Sequence, residues 1–285
     1  MQENRILRTA RELLACLDEP DWVAVDCRFD LGNPGAGIRA YEAAHIPGAV
    51  FLDLDKDLAG PITDGSGRHP LPDPDRLTAR IGELGIDESD HVVVYDAGPG
   101  AIAARAWWIL RWLGHDSVYL LDGGLGSWES LGFPLREGVE RRAAANYRPR
   151  PGDQRVLETR ELAADATAIA RYRLLDARDA ERFRGEVEPI DPVAGHIPGA
   201  INLPFADFVR EDGTWLPLDE RAVLLEEAIG ADRAVDWSVM CGSGVTACHL
   251  AITGVEAGFR APRLYVGSWS EWIQDPQRPI SKTET

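Results

Sequence analysis

The chain repeats itself, and this repetition limits its architecture more than any other feature. The sequence His-Ile-Pro-Gly-Ala starts at His45 and again at His196, and a segment rich in glycine and tryptophan ends at Trp128 and again at Trp272. The period is about 150 residues, which is too long for a solenoid repeat and is the usual size of a domain. We therefore predict two tandem domains that arose by duplication, with residues 1–140 in the first and 156–285 in the second. A proline-rich stretch at 148–152 identifies residues 141–155 as the linker.

Short apolar runs that alternate with helical patterns predict the fold class. Each half opens with a candidate buried strand, at 23–26 and at 174–176, and further apolar runs follow at 91–95 and 237–240. The first of these later runs leads into a helical pattern from about residue 101 to 113. We therefore predict an α/β fold, twice, in which each domain has a mainly parallel sheet covered by helices on both faces.

The run Cys-Gly-Ser-Gly-Val-Thr-Ala, residues 241–247, lies between the last of these strands and a helix. Glycines at 242 and 244 let the backbone curl so that successive amide groups face inward, and the helix start adds its partial positive charge. A cysteine held there is favoured as the thiolate, so the loop is predicted to activate Cys241 as a nucleophile. The alternative is that Cys241 is an inert buried side chain at a strand end.

This loop, continued as Cys-His, and both halves of the chain resemble the rhodanese-like sulfurtransferases, in particular those of the 3-mercaptopyruvate type. The resemblance implies that Cys241 carries a persulfide and passes its sulfur to cyanide or to a thiol, such as that of thioredoxin. It implies no metal and no organic cofactor. In the first half, Asp96 or Ala97 aligns with Cys241, so the resemblance assigns catalysis to the second domain.

The resemblance also implies roles for other residues of the second domain. The amide groups of the loop would bind the sulfur anion, and Ser243 would hydrogen-bond the substrate or relay a proton. Arg182 matches the arginine that anchors the substrate carboxylate; its alternative is a surface salt bridge with Glu181 or Glu186. The remaining loop residues assigned to substrate binding are Gly242, Gly244, Val245, Thr246 and Ala247.

One candidate lies in the first half. His45 matches a histidine proposed in the family to work with the loop serine. Its alternative is structural, because His196 occupies the equivalent turn of the second copy and both side chains can hold the His-Ile-Pro-Gly-Ala bend in place.

The choice of sulfur donor is open between 3-mercaptopyruvate and thiosulfate. Members that use thiosulfate tend to carry basic residues directly after the cysteine, and Gly242 and Ser243 at these positions favour the 2-oxo acid. Mercaptopyruvate enzymes usually have a second arginine after a Glu-Pro pair, and here Ile190 follows Glu188-Pro189. A third possibility, from a different class, is a persulfide-binding module without turnover.

Several other functions are disfavoured. A cysteine-dependent phosphatase needs an arginine where this chain has Ala247, and a cysteine protease needs a histidine base, whereas His249 is expected to be exposed or to cap the helix. A net charge of −17 disfavours binding to nucleic acid or to anionic membranes. Residues 1–20 suggest an amphipathic helix and not a signal peptide, and four irregularly spaced cysteines fit a reducing cytoplasm.

Overall fold

The computed structural model describes residues 5–150, 152–164 and 168–283, so the first four residues of the predicted N-terminal helix lie outside it. The chain forms two compact units. The first comprises Met1–Gly60, Leu71–Asp153 and Val209–Trp215, and the second comprises Pro61–Pro70, Gln154–Phe208 and Leu216–Thr285. Among the described residues, no helix combines the length and the apolar character needed to cross a bilayer.

The first unit contains one parallel sheet. Its strands are β1 (Leu7–Arg8), β2 (Trp22–Asp26), β3 (Val50–Phe51), β4 (His91–Tyr95) and β5 (Val118–Leu121). Its helices are α1 (Ala10–Cys16), α2 (Ala36–Ala43), α3 (Pro74–Glu83), α4 (Ala103–Trp112) and α5 (Gly124–Ser130). The strand order is β1-β5-β4-β2-β3, and every neighbouring pair is parallel. The predicted first helix is therefore shorter than expected and follows an edge strand.

The second unit repeats this sheet. Its strands are β6 (Arg155–Leu157), β7 (Leu174–Asp176), β8 (Ile201–Asn202), β9 (Ser238–Met240) and β10 (Arg263–Tyr265). Its helices are α6 (Thr159–Ala163), α7 (Ala168–Tyr172), α8 (Ala180–Arg184), α9 (Leu218–Ile229), α10 (Ala247–Glu256) and α11 (Ser268–Trp272), with a 3₁₀ turn at Phe205–Phe208. The parallel order β6-β10-β9-β7-β8 matches that of the first unit strand for strand. The predicted duplication and the α/β fold class are confirmed.

The central strand of each sheet is buried on both faces. In β4, the side chains from Val92 to Tyr95 are all fully buried although they alternate in direction, so both faces of the sheet are covered. On one face, Val93 and Tyr95 pack with Leu13 of α1 and Trp128 of α5. In the second unit, tryptophans of α11 pack in the same way against β9 and β10. The carboxyl ends of β4 and β9 are thus held at the centre of their sheets.

A buried Asp-x-Arg pair occurs at the end of the second strand of each unit. Asp26 binds Arg28 with two carboxylate oxygens, and Arg28 Nη2 donates to the carbonyl of Ala44 at 2.6 Å. Asp176 binds Arg178 in the same way, and Arg178 donates to the carbonyl of residue 195 at 2.8 Å. Each pair fixes the chain just before the repeated His-Ile-Pro-Gly-Ala bend.

Residues 141–153 pack on the first unit. Tyr147 is buried, and its ring stacks on His115 with 5.7 Å between ring centroids. Arg150 donates its amide group to the carbonyl of Leu113 at 2.9 Å. Each unit also contains a short segment from the other half of the sequence, 209–215 in the first and 61–70 in the second. The domain boundaries predicted from the sequence assigned each of these segments to the other unit.

We expect Asp26→Ala to lower the stability of the first unit by about 3 kcal/mol, because the largely buried Arg28 guanidinium loses its counter-charge. Hydrogen exchange of the amide groups in β2 and β4 measures this change locally. The exposed Asp18→Ala provides the control, with a change within about 0.5 kcal/mol. Equal exchange rates in the two variants would contradict a stabilising role for the pair.

Candidate active site

The loop that contains Cys241 begins where β9 ends and stops where α10 begins. Its carbonyl groups are held by α11: Trp269 donates its amide to the carbonyl of Cys241 at 3.0 Å, and Ser270 donates to that of Gly242 at 2.9 Å. Gly244 has a φ of 74°, and a Cβ on it would lie 2.6 Å from the carbonyl oxygen of Val266. Only glycine fits this position, so the tight curl predicted from the sequence is present.

Several main-chain amide groups of the Cys241 loop are available to donate hydrogen bonds to a ligand. In the hydrogen bonds among the described residues, the amide groups of Gly242, Ser243, Val245 and Thr246 have no acceptor. The side chain of Cys241 lies at the start of this loop and is 2% exposed. Unused main-chain donors next to a helix N-terminus favour an anion.

Strand pairing identifies the equivalent loop of the first unit. Asp26 pairs with Tyr95, and Asp176 pairs with Met240. Because the two aspartates occupy the same place in the repeat, the residue after Tyr95 corresponds to Cys241. That residue is Asp96, which resolves the alternative of Asp96 or Ala97 left by the sequence.

The hydrogen bonds of Asp96 indicate that this loop geometry binds an anionic group. Its carboxylate accepts four hydrogen bonds from main-chain amide groups within its own loop and at the start of α4. Their lengths are 3.0 Å from Gly98, 3.0 Å from Gly100, 2.8 Å from Ile102 and 3.1 Å from Ala103. In the first unit, therefore, the anion site of the loop is filled by the carboxylate of the chain itself.

The loop serine has a histidine partner, and it is His69 and not His45. His69 Nδ1 lies 2.7 Å from Ser243 Oγ, and both side chains are buried. His69 belongs to the 61–70 segment, which is part of the second unit. Its position in the sequence did not single it out, because it lies outside the repeated motifs.

His45 has the structural role that was its alternative. It is fully buried in the first unit, its Nδ1 lies 2.7 Å from the carbonyl oxygen of Tyr41, and its ring stacks on that tyrosine. His196 does the same in the second unit, 2.8 Å from the carbonyl oxygen of Phe183 and stacked on its ring. The two histidines therefore stabilise equivalent bends in the two units. The prediction that His45 works with the loop serine was wrong.

Arg182 lies in a buried ionic network. Its Nε and Nη2 donate to Glu188 at 2.7 to 3.2 Å, and Nη2 also donates to Asp191 Oδ2 at 3.3 Å. Its partners are thus neither Glu181 nor Glu186. Burial acts to raise the pKa of Glu188, but the hydrogen bonds from Arg182 and from main-chain amides bring it below the usual value. For Asp191 the effect of burial prevails, and its pKa is raised.

A second arginine shares this network. Arg68, next to His69, forms a short ion pair with Asp191 Oδ1. A Cβ on Gly242 would lie 2.8 Å from Arg68 Nη2 and 3.6 Å from Arg182 Nη2. Two guanidinium groups therefore reach the residue directly after Cys241. Sequence reasoning found Arg182 but missed Arg68.

The side chains that follow the loop are packed inside the second unit. Ala247 and Cys248 are fully buried. His249 is also fully buried and meets the rings of Phe205 and Phe208 edge-on, so the expectation of an exposed or capping residue was wrong.

The chemistry of the site follows from these groups. A thiol beside unused amide donors, a hydroxyl–imidazole pair and two guanidinium groups suit nucleophilic sulfur chemistry on a small anion. Within the described ranges, no group of three histidine, cysteine, aspartate or glutamate residues could hold a metal ion.

Two regions of the chain, residues 9–131 and 158–275, match the family described as "Rhodanese-like domain". The chain is 49% identical over 280 residues to the "Probable 3-mercaptopyruvate sulfurtransferase" of Pseudomonas aeruginosa, covering 96% of this chain and 97% of that protein. It is 41% identical over 284 residues to the "Putative thiosulfate sulfurtransferase SseB" of Mycobacterium tuberculosis, covering 98% of each.

Solved structures show the same similarity. The structure of "3-mercaptopyruvate sulfurtransferase from Leishmania major" superimposes with a TM-score of 0.85 at 29% identity, covering 97% of this chain and 76% of that one. The crystal structure of SseA from Escherichia coli, described as a 3-mercaptopyruvate sulfotransferase, gives a TM-score of 0.79 at 31% identity, covering 93% and 99%.

The anion preference of the loop geometry can be tested in the first unit. Asp96→Asn keeps the shape of the side chain but places an NH₂ group against amide donors, so we expect a loss of about 2–3 kcal/mol in the stability of that unit. Hydrogen exchange of the amide groups in β4 and α4 measures the change, with the exposed Asp18→Asn as the control. A loss no larger than that of the control would show that the loop does not select an anion.

Proposed function

Because the chain belongs to the rhodanese-like family and is a sulfurtransferase, we propose that it transfers sulfur from 3-mercaptopyruvate to a thiophilic acceptor through a persulfide on Cys241. The observation that carries this proposal is the pair of equivalent loops. The first binds the carboxylate of Asp96 with its main-chain amides, and the second presents the same kind of donors around a cysteine.

In the first half-reaction, the Cys241 thiolate attacks the sulfur of 3-mercaptopyruvate and forms an S–S bond. The bond between that sulfur and C3 breaks, and its electron pair leaves with C3 as the enolate of pyruvate. The proton of the substrate thiol is balanced by the proton that C3 gains. The products are pyruvate and a deprotonated persulfide, whose negative charge the loop amides stabilise.

In this proposal, Ser243 and His69 act on the substrate carbonyl, and the support for it is the short contact between their side chains. With Nδ1 protonated, His69 donates to Ser243 Oγ and leaves the hydroxyl proton free for the carbonyl oxygen, which becomes the enolate oxygen. In the other tautomer, the hydroxyl donates to the ring and the pair can relay the proton to C3.

In the second half-reaction, the acceptor attacks the outer sulfur of the persulfide. Cyanide leaves as thiocyanate and a thiolate leaves as a new persulfide, and the S–S bond to Cys241 breaks to restore its thiolate. A small thiol or a dithiol protein of the thioredoxin type fits this step. The chemistry needs Cys241 as a reduced thiol, and Cys241 is a free cysteine, as are Cys16 and Cys27, which fits a reducing cytoplasm.

A second candidate donor is thiosulfate, which would release sulfite. One observation favours it: Arg68 supplies a positive charge beside Gly242, where the side chain of residue 242 itself supplies none. The relative in Mycobacterium tuberculosis carries thiosulfate in its name. A comparison of kcat/KM for the two donors separates the candidates, and we expect the 2-oxo acid to be preferred.

Mass spectrometry after exposure to 3-mercaptopyruvate tests the persulfide. We expect the peptide that contains Cys241 to gain one sulfur atom, and the Cys241→Ser variant to gain none. Cys27 is an internal control, because full burial, together with Asp26 and Asp96, raises the pKa of its thiol well above the usual value. Sulfur found on another cysteine, or steady turnover by Cys241→Ser, would refute the proposed mechanism.

A further inference from the structure

Ser270 of α11 joins two parts of the second unit that meet at the candidate active site. Its amide group donates to the carbonyl oxygen of Gly242, in the loop that follows β9, at 2.9 Å. Its hydroxyl accepts a hydrogen bond from the amide group of Arg68, in the 61–70 segment, at 3.1 Å. The side chain is 3% exposed, so water has little access to these bonds. One residue therefore holds both the loop of the cysteine and the segment that carries His69.

The hydroxyl of Ser270 is oriented by a second hydrogen bond. Its Oγ donates to the carbonyl oxygen of Gly267 at 3.2 Å, which leaves its lone pairs for the amide group of Arg68. The neighbouring Gly67 lies so close to α11 that a Cβ on it would be 2.6 Å from the carbonyl oxygen of Gly267 and 3.0 Å from Ser270 Oγ. The segment therefore lies directly on the start of α11, next to its bond with Ser270.

The first unit has a glycine where the second unit has Ser270. Gly126 of α5 donates its amide group to the carbonyl oxygen of Ala97 at 3.3 Å, as Ser270 does to that of Gly242. Ala97 and Gly242 are each the second residue after the central strand, so Gly126 and Ser270 occupy the same place in the repeat. The contact between helix and loop thus needs no side chain, and the hydroxyl is present only in the unit that contains Cys241.

We propose that Ser270 is a positioning residue for His69. Its hydroxyl fixes the main chain one residue before His69 and thereby keeps His69 Nδ1 at 2.7 Å from Ser243 Oγ. The inference rests on the proposed function, in which the Ser243–His69 pair acts on the substrate carbonyl. Ser270 itself does not touch the substrate in this assignment, and it acts through the amide group of Arg68.

There are two competing explanations for the buried hydroxyl. It could serve only α11, because serines in helices often bond to a nearby carbonyl of their own helix, or it could support the second unit as a whole. The two half-reactions separate these explanations from the proposal. Only the first half-reaction involves a carbonyl group, so loss of positioning slows that one alone. A general distortion of the unit slows both, and loss of a purely local bond slows neither.

Ser270→Ala should therefore be compared with the wild type in each half-reaction. Persulfide formation at saturating 3-mercaptopyruvate is followed by mass spectrometry, and the isolated persulfide is then mixed with cyanide to measure thiocyanate release. We expect the first rate to fall about tenfold to thirtyfold, because His69 loses its alignment, and the second to stay within about twofold.

Ser127→Ala is the matched control. Ser127 lies in α5 of the first unit, and its hydroxyl also donates to main-chain carbonyl groups, at 2.7 Å to Asp122 and 2.9 Å to Gly124. Both half-reactions should proceed in this variant at the rates of the wild type.

Equal slowing of the two half-reactions, or slowing of neither, would refute the role of Ser270. If Ser270→Ala fails to fold, Ser270→Gly decides, because the first unit makes the same loop contact with a glycine at this position. It should show the same selective slowing of persulfide formation. Wild-type protein that gains no sulfur from 3-mercaptopyruvate would refute the proposed function itself. Normal persulfide formation in both the wild type and the variant would refute this inference alone.

Discussion

Main-chain amide groups at the end of a central strand are the constraint on which the site depends. In the first unit they close around the carboxylate of Asp96, which is attached to the loop that binds it. In the second unit the residue at that position is Cys241, and in the proposed mechanism the loop amides bind its sulfur and the persulfide. Under this proposal, one backbone geometry gives a loop that binds its own carboxylate in the first unit and a loop with a reactive cysteine in the second, according to the residue that follows the strand.

The second unit completes its site with a segment from the first half of the sequence. Residues 61–70 bring His69 to Ser243 and Arg68 to Asp191. The loop itself carries no basic side chain between Gly242 and Ala247. The positive charge and the imidazole beside the loop therefore come from residues outside it. The 61–70 segment connects β3 to α3, and it joins the charged side chains Arg182, Glu188 and Asp191 of the second half of the sequence.

The sequence predicted the parts of this arrangement that are local. The repeat and the apolar runs predicted both sheets and their central strands, although the edge strands β1, β3 and β8, of two residues each, were too short to show a period. The loop was found because its glycines, cysteine and serine are adjacent. His69 and Arg68 were missed because their partners lie 174 and 123 residues away, and no local pattern reports such contacts. His45 was mistaken for the partner of the serine because a conspicuous motif surrounds it.

The most direct test of the central claim is hydrogen exchange of the amide groups of Gly242, Ser243, Val245 and Thr246, measured before and after the protein is exposed to 3-mercaptopyruvate. These amide groups make no hydrogen bond among the described residues. The account predicts that their exchange slows when Cys241 carries the persulfide, because they then donate to its negative charge, and that it does not change in Cys241→Ser. Exchange that is equally fast before and after exposure of the wild type would contradict it.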